Sequence, residues 1–182
     1  TGMGHCNSNL LNRIFIVNDK RAQNRALLLT CLTSHYAQLW QDVWSADFTQ
    51  DRWTKSDPRL PKETFSFLTK VWTIKTPLRT DYARRQALVE IDVLIARAMG
   101  MTLDELCEVY RIQFPVLYQH EQDTWYDANG RIVFTRRVGL PGVGFSRPEW
   151  NEIRDAKPGE VFTRKVVDNW LPDAPTRVIE YV

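Results

Sequence analysis

Arg84–Pro115 reads RRQALVEIDVLIARAMGMTLDELCEVYRIQFP, and this stretch decides how the rest of the chain is organised. Thr80 is placed to cap a helix in which Ala87, Leu88, Ile91, Leu94, Ile95 and Ala98 recur at helical spacing on one face. Gly100 follows where a helix commonly ends in the left-handed conformation. Thr102 and Glu105 then form a capping-box pattern, and Leu103, Leu106, Val109 and Tyr110 supply the apolar face of a second helix. Pro115 lacks an N–H donor and closes or kinks that helix. The expectation is a tight helix–Gly–helix pair, stabilised by burial of its two faces rather than by propensity.

Upstream, Leu10–Val17 is β-leaning through Ile14, Phe15, Ile16 and Val17, and Asn18-Asp19 starts a helix. From Asp19 to about Trp44, Leu28, Leu32, Tyr36, Leu39, Trp40 and Val43 keep helical spacing. A polar, turn-rich stretch runs to Pro61, and Phe65, Leu68 and Trp72 mark a shorter helix ended before Pro77. Downstream the pattern changes. Trp125–Gly130 and Arg131–Thr135 read as a β-hairpin with Asn129-Gly130 at the turn. Gly139–Gly144 reads as a loop and Arg147–Trp150 as a short helical turn; Val161–Thr163 and Arg177–Val182 read as further strands. The fold class expected is therefore α+β. A mainly helical body with a short N-terminal strand spans residues 1–123, and a small antiparallel β-hairpin or sheet segment spans 124–182, the two forming one compact unit. Thr1 is not a start methionine, which suggests a segment of a longer chain.

Composition narrows the classes. The 182 residues are 43% apolar, with 7 Trp, 6 Tyr and 8 Phe, which excludes a wholly disordered chain. No run approaches the roughly 20 apolar residues that a membrane span needs, and no signal-peptide pattern opens the chain; a soluble, cytoplasmic protein without a membrane partner is expected. The net charge of +2 is too small to imply a polyanion partner. Its distribution is uneven: +5 over residues 1–80, −5 over 81–130 and +2 over 131–182. Cys6, Cys31 and Cys107 contain no CxxC pair and suit a reducing compartment, with Cys31 and Cys107 read as packed thiols.

No complete catalytic motif is present. His120-Glu121 opens like the zinc-protease signature, but Thr124 stands where the second imidazole must be. His5 and Cys6 are adjacent without further ligands. Gly139–Gly144 lacks the Lys-Ser/Thr of a phosphate loop. Glu90, Asp92, Asp104, Glu105 and Glu108 are read as helix-stabilising carboxylates. Asp92 is the exception, expected to be partly buried and paired with Arg84 or Arg85. The basic candidates for phosphate contact are Lys70, Lys75 and Arg79, then Arg84 and Arg85, and later Arg136, Arg137, Arg164 and Lys165. The seven Trp residues are read mainly as core anchors, although an exposed one could stack on a base.

The Arg84–Pro115 stretch resembles a segment near the C-terminus of large bacterial, actinobacterial-type restriction–modification proteins that carry an N6-adenine DNA methyltransferase domain. The shared features are its basic start, Glu90-Ile-Asp92, Ala98-Met-Gly-Met-Thr102, Leu103-Asp-Glu-Leu106 and Phe114-Pro115. Leu11–Leu32 and Asp123–Thr135 are similar to flanking stretches of the same proteins. The methyl-donor pocket and the Asn/Asp-Pro-Pro-Tyr/Phe motif of that family are absent. The resemblance therefore implies no catalytic residue, no metal and no cofactor in this chain, S-adenosylmethionine belonging to the parent protein.

Two functions follow as expectations. One is a non-catalytic C-terminal region that supports DNA binding or target recognition, contacting double-stranded DNA through Arg79, Arg84, Arg85, Arg136 and Arg137. The other is a structural module that docks on the methyltransferase domain or a partner without touching DNA. A contiguous basic face would favour the first and an exposed apolar patch the second. An independent enzyme is the third possibility, and no nucleophile–base set speaks for it.

Overall fold

The computed structural model describes residues 16–136, 144–166 and 177–182. Helix α1 (Lys20–Thr30) starts at Asp19, whose carboxylate accepts from the N–H groups of Arg21 and Ala22. The expected continuation to Trp44 does not occur: the chain leaves helical geometry at Cys31. The reason is tertiary. The carbonyls of Leu28, Leu29, Cys31 and Leu32 accept from Leu78 N, Arg84 Nη1, the Trp72 indole and Arg79 Nη2, at 2.8–3.3 Å. Acceptors that a longer helix would use internally are taken by other segments. A 3₁₀ turn (Ser34–Tyr36), α2 (Ala37–Val43) and a second 3₁₀ turn (Ala46–Gln50) follow.

Phe65, Leu68 and Trp72 lie in successive turns rather than on a helix. Their apolar role survives the change of geometry. Phe65 and Leu68 enter a core with Leu28, Trp40, Phe48 and Trp53, and Trp72 packs on its edge. The Trp40 indole N–H reaches the Thr69 carbonyl at 2.9 Å, so this large side chain is buried with its one donor satisfied.

Helix α3 (Asp81–Ala98) begins after Thr80, which makes no side-chain cap bond. Its buried face is Tyr82, Ala83, Ala87, Glu90 and Ala96, not the expected stripe; of that stripe Ala87 alone is fully buried, and Leu88, Ile95 and Ala98 are exposed. Helix α1 packs along α3 over its small Ala83 and Ala87 side chains. Gly100, at φ +76°, ends the turn beyond α3, and the Thr102–Glu105 capping box starts α4 (Leu103–Gln113) as expected. The pair is not tight, however. No residue of α4 is buried, and Leu103 is 72% exposed. Cys107 is accordingly exposed rather than packed, whereas Cys31 is buried and its thiol pushed up by burial. Pro115 ends α4 but also occupies the first turn of a further helix, α5 (Pro115–Gln122), where its missing N–H costs nothing.

The C-terminal end carries two small antiparallel sheets. Strands β1 (Trp125–Tyr126) and β2 (Ile132–Phe134) form the expected hairpin, with Gly130 at φ +77° in its turn. Helix α6 (Arg147–Ile153) starts at Ser146, whose N–H and hydroxyl both reach Glu149. Strands β3 (Phe162–Val166) and β4 (Arg177–Tyr181) pair with Phe162 opposite Tyr181. The chain is thus α+β. The hairpin is fastened to the start of α3 by Tyr82 N on the Gly130 carbonyl (2.9 Å) and Ile132 N on the Asp81 carboxylate (3.1 Å). Of the expected N-terminal strand, Ile16 and Val17 are irregular and Ile16 is exposed; residues 10–15 lie outside the described residues, as do His5, Cys6, Arg137, most of the Gly139–Gly144 loop and Trp170.

Candidate functional site

Two charged assemblies organise the helical body. Arg25 is fully buried, and its guanidinium donates to Glu90 and Asp51, each at 2.5 Å, and to the carbonyls of Arg21 and Arg52. Trp53 and Phe65 flank it, the latter with its ring centroid at 5.0 Å. The other Glu90 oxygen accepts from Thr54 N, Thr54 Oγ1 and Gln86 Nε2 at 2.6–3.0 Å. Burial alone would push Glu90 up; the bonds from Thr54 and Gln86 and the charge of Arg25 outweigh it and hold the carboxyl below its usual range. A cavity of about 440 Å³ borders this cluster. Because the guanidinium already has protein acceptors, the cluster is a brace between α1, the 51–54 segment and α3.

The second assembly surrounds Asp57. Arg59 donates to it twice at 2.8 Å, and the Tyr82 hydroxyl donates at 2.7 Å. Arg59 lies 3.8 Å from the Tyr82 ring centroid. The Arg59 bonds in particular hold the Asp57 carboxyl well below the usual carboxylate range.

Four of the five arginines expected at phosphates are described, and each is engaged within the protein. Arg79 donates to the Leu32 and Ile74 carbonyls and Arg84 to those of Leu29 and Leu78. Arg85 pairs with Glu121, and Arg136 stands 3.7 Å from Asp123. Arg137 lies outside the described residues. The expected pairing of Asp92 with Arg84 or Arg85 does not form; Asp92 accepts from the Tyr110 hydroxyl at 2.6 Å, because Arg84 is drawn to the α1 end and Arg85 to α5.

That Tyr110–Asp92 bond and the Arg85–Glu121 pair are polar ties across an otherwise apolar groove between α3, α4 and α5. The groove encloses about 670 Å³, with Val89, Val93, Leu103, Leu106 and Tyr118 among its walls. Burial raises the Tyr110 hydroxyl, and its bond to ionised Asp92 raises it further. Among the described residues no His, Cys, Asp and Glu side chains gather in a group able to hold a metal ion, and no helix is long and apolar enough to cross a membrane. Comparison of the chain with protein-family models, with curated proteins and with solved structures finds no match.

Sequence reasoning missed the Arg25–Asp51–Glu90 brace, since its members are 26 and 65 residues apart. It also missed the groove. The signal for the groove was present in Val116, Leu117 and Tyr118, which follow Pro115 directly and extend the apolar pattern past the proline.

Proposed function

We propose that this chain is a non-catalytic docking module, which seats the face formed by α3, α4 and α5 on the adenine methyltransferase domain of a restriction–modification protein. The observation that carries the reading is the exposed apolar surface at the groove, where Leu103 (72% exposed) and Val93 stand in the wall and Phe114, Val116 and Leu117 of the α4–α5 junction also face solvent. An exposed apolar surface next to a concave one marks an interaction site. Asp104, Glu105 and Glu108 elsewhere on α4 repel phosphate and disfavour DNA along this helix. The internal bonds of Arg79, Arg84 and Arg85 favour a bracing role for them over a phosphate-binding one. S-adenosylmethionine, in this reading, is bound by the partner domain.

The test is size-exclusion chromatography with light scattering on the chain mixed with such a methyltransferase domain. A one-to-one complex is expected, and Leu103→Glu weakens it at least about tenfold, since a charge placed in a desolvated interface is costly. Absence of a complex, or a complex indifferent to Leu103→Glu, overturns the reading. So does a homodimer dissolved by the same change, which would assign the face to a second copy.

A further inference from the structure

A separate cavity of about 340 Å³ lies between the β1–β2 hairpin, α6 and the β3–β4 sheet, a volume suited to a small ligand or one unit of a polymer. Trp125 and Phe134 stand opposite each other in the hairpin register. Trp150 of α6 packs against both, with ring centroids at 5.5 and 5.4 Å and its plane within 7° of Phe134. Phe134 is buried, whereas Trp125 is 54% exposed, so the aromatic cluster keeps one open ring. The rim carries two cations, Arg154 and Lys157, and one exposed carboxylate, Glu160. The Arg154 side chain is 59% exposed, and its ion-pair partner among the described residues is the solvated Asp155, at 3.6 Å. Lys157 makes no ion pair among the described residues. Asp127, the buried carboxylate at the cavity, is taken by the Arg131 guanidinium at 2.8 Å.

We propose that this cavity binds an unstacked nucleobase of single-stranded DNA, the base stacking on Trp125 and the neighbouring phosphates meeting Arg154 and Lys157. An open indole accepts any base by its π-face, and flanking cations track the backbone. The two arginines nearest the aromatic cluster are committed within the protein. Arg147 already sits 4.4 Å from the Phe134 ring centroid and Arg131 5.2 Å from that of Tyr181. Arg131 is paired with Asp127 and Arg147 lies 3.9 Å from Asp123, so the cations left to meet phosphates at the cavity are Arg154 and Lys157. Paired bases in a duplex present edges rather than faces, so the site selects strands whose bases are free. The cavity shares no lining residue with the α3–α5 groove, and either assignment stands or falls without the other.

Fluorescence anisotropy of a labelled oligothymidylate of about ten nucleotides, titrated with the whole chain at roughly 50 mM salt, tests the site. Saturable binding is expected, at least several-fold tighter than for a duplex of the same length. Trp125→Ala weakens it about tenfold and Trp125→Phe much less. Arg154→Ala with Lys157→Ala, two surface changes that leave the fold intact, flattens the salt dependence. No binding, equal affinity for duplex, or a salt slope unmoved by the double change overturns the proposal. Tight binding of a labelled arginine-rich peptide alone, measured without oligonucleotide and lost on Trp125→Ala, also overturns it by assigning the cavity to a cationic ligand.

Discussion

At the scale of single residues, the strongest constraint is the guanidinium of Arg25, held out of water by two carboxylates and two aromatic rings. Removing one partner of a buried ion pair leaves an uncompensated charge, so Glu90→Ala is expected to cost about 3–5 kcal/mol of stability, measured by urea denaturation. Glu90→Gln, which keeps the shape and an acceptor oxygen, costs less. Asp57 gives a pH signature. Its folded carboxyl is held well below the usual value near about 4, mainly by Arg59, so its stabilisation is complete above that usual value and is lost as pH falls from there through the lower folded value. The denaturation midpoint is therefore expected to begin to drop as pH falls below about 4 and to go on falling below pH 3, and Asp57→Asn to lower it at pH 7 while shrinking that acid-induced drop. Neither role was legible in the sequence. Glu90 sits amid a helical pattern that assigns it to solvent, and its partner comes from α1, out of reach of any local rule. Arg59 and Asp57 are two apart, but the tyrosine that completes their cluster is not.

At the scale of elements, what could be read were signals carried by a few consecutive residues. The Thr102–Glu105 box, the Asn129-Gly130 turn and Asp19 at the head of α1 all act within one turn of chain. Thr102→Ala is expected to cost about 1 kcal/mol through loss of the cap, read as a lower thermal midpoint. Two of the left-handed glycines, Gly100 and Gly130, should differ. A Cβ at Gly130 would meet Tyr82 Cβ at 3.2 Å, whereas one at Gly100 meets nothing within 4 Å. Gly100→Ala thus carries the backbone penalty alone, about 1 kcal/mol, and Gly130→Ala costs more because it also pushes the hairpin off α3. Differential scanning calorimetry of the two variants checks the order. The misread elements failed for the opposite reason. Nothing local ends α1 at Cys31; distant Leu78, Trp72, Arg79 and Arg84 claim its carbonyls. Phe65 and Leu68 were rightly apolar, yet turns deliver them to the core as well as a helix would.

At the scale of the molecule, burial is concentrated in α1, α3 and the irregular 44–80 segment, while α4 and α5 bury no residue fully. Amide hydrogen exchange should divide along that line: α1 and α3 protected to the level of global unfolding, α4 and α5 opening locally at lower free energy. Addition of the docking partner should slow exchange in α4 and α5 selectively. The α+β class was legible because the change from helical to alternating pattern falls near Asp123; the exposed face was not, because an apolar stripe reads the same whether the chain or another protein covers it. The Arg25 brace also bears on biosynthesis. A ribosome releases residue 25 long before residue 90, so the emerging polypeptide carries a stranded cation on α1 until α3 clears the exit tunnel. Translation halted short of that point leaves a nascent chain unable to close its own interior, and such stalled products are natural clients for chaperones.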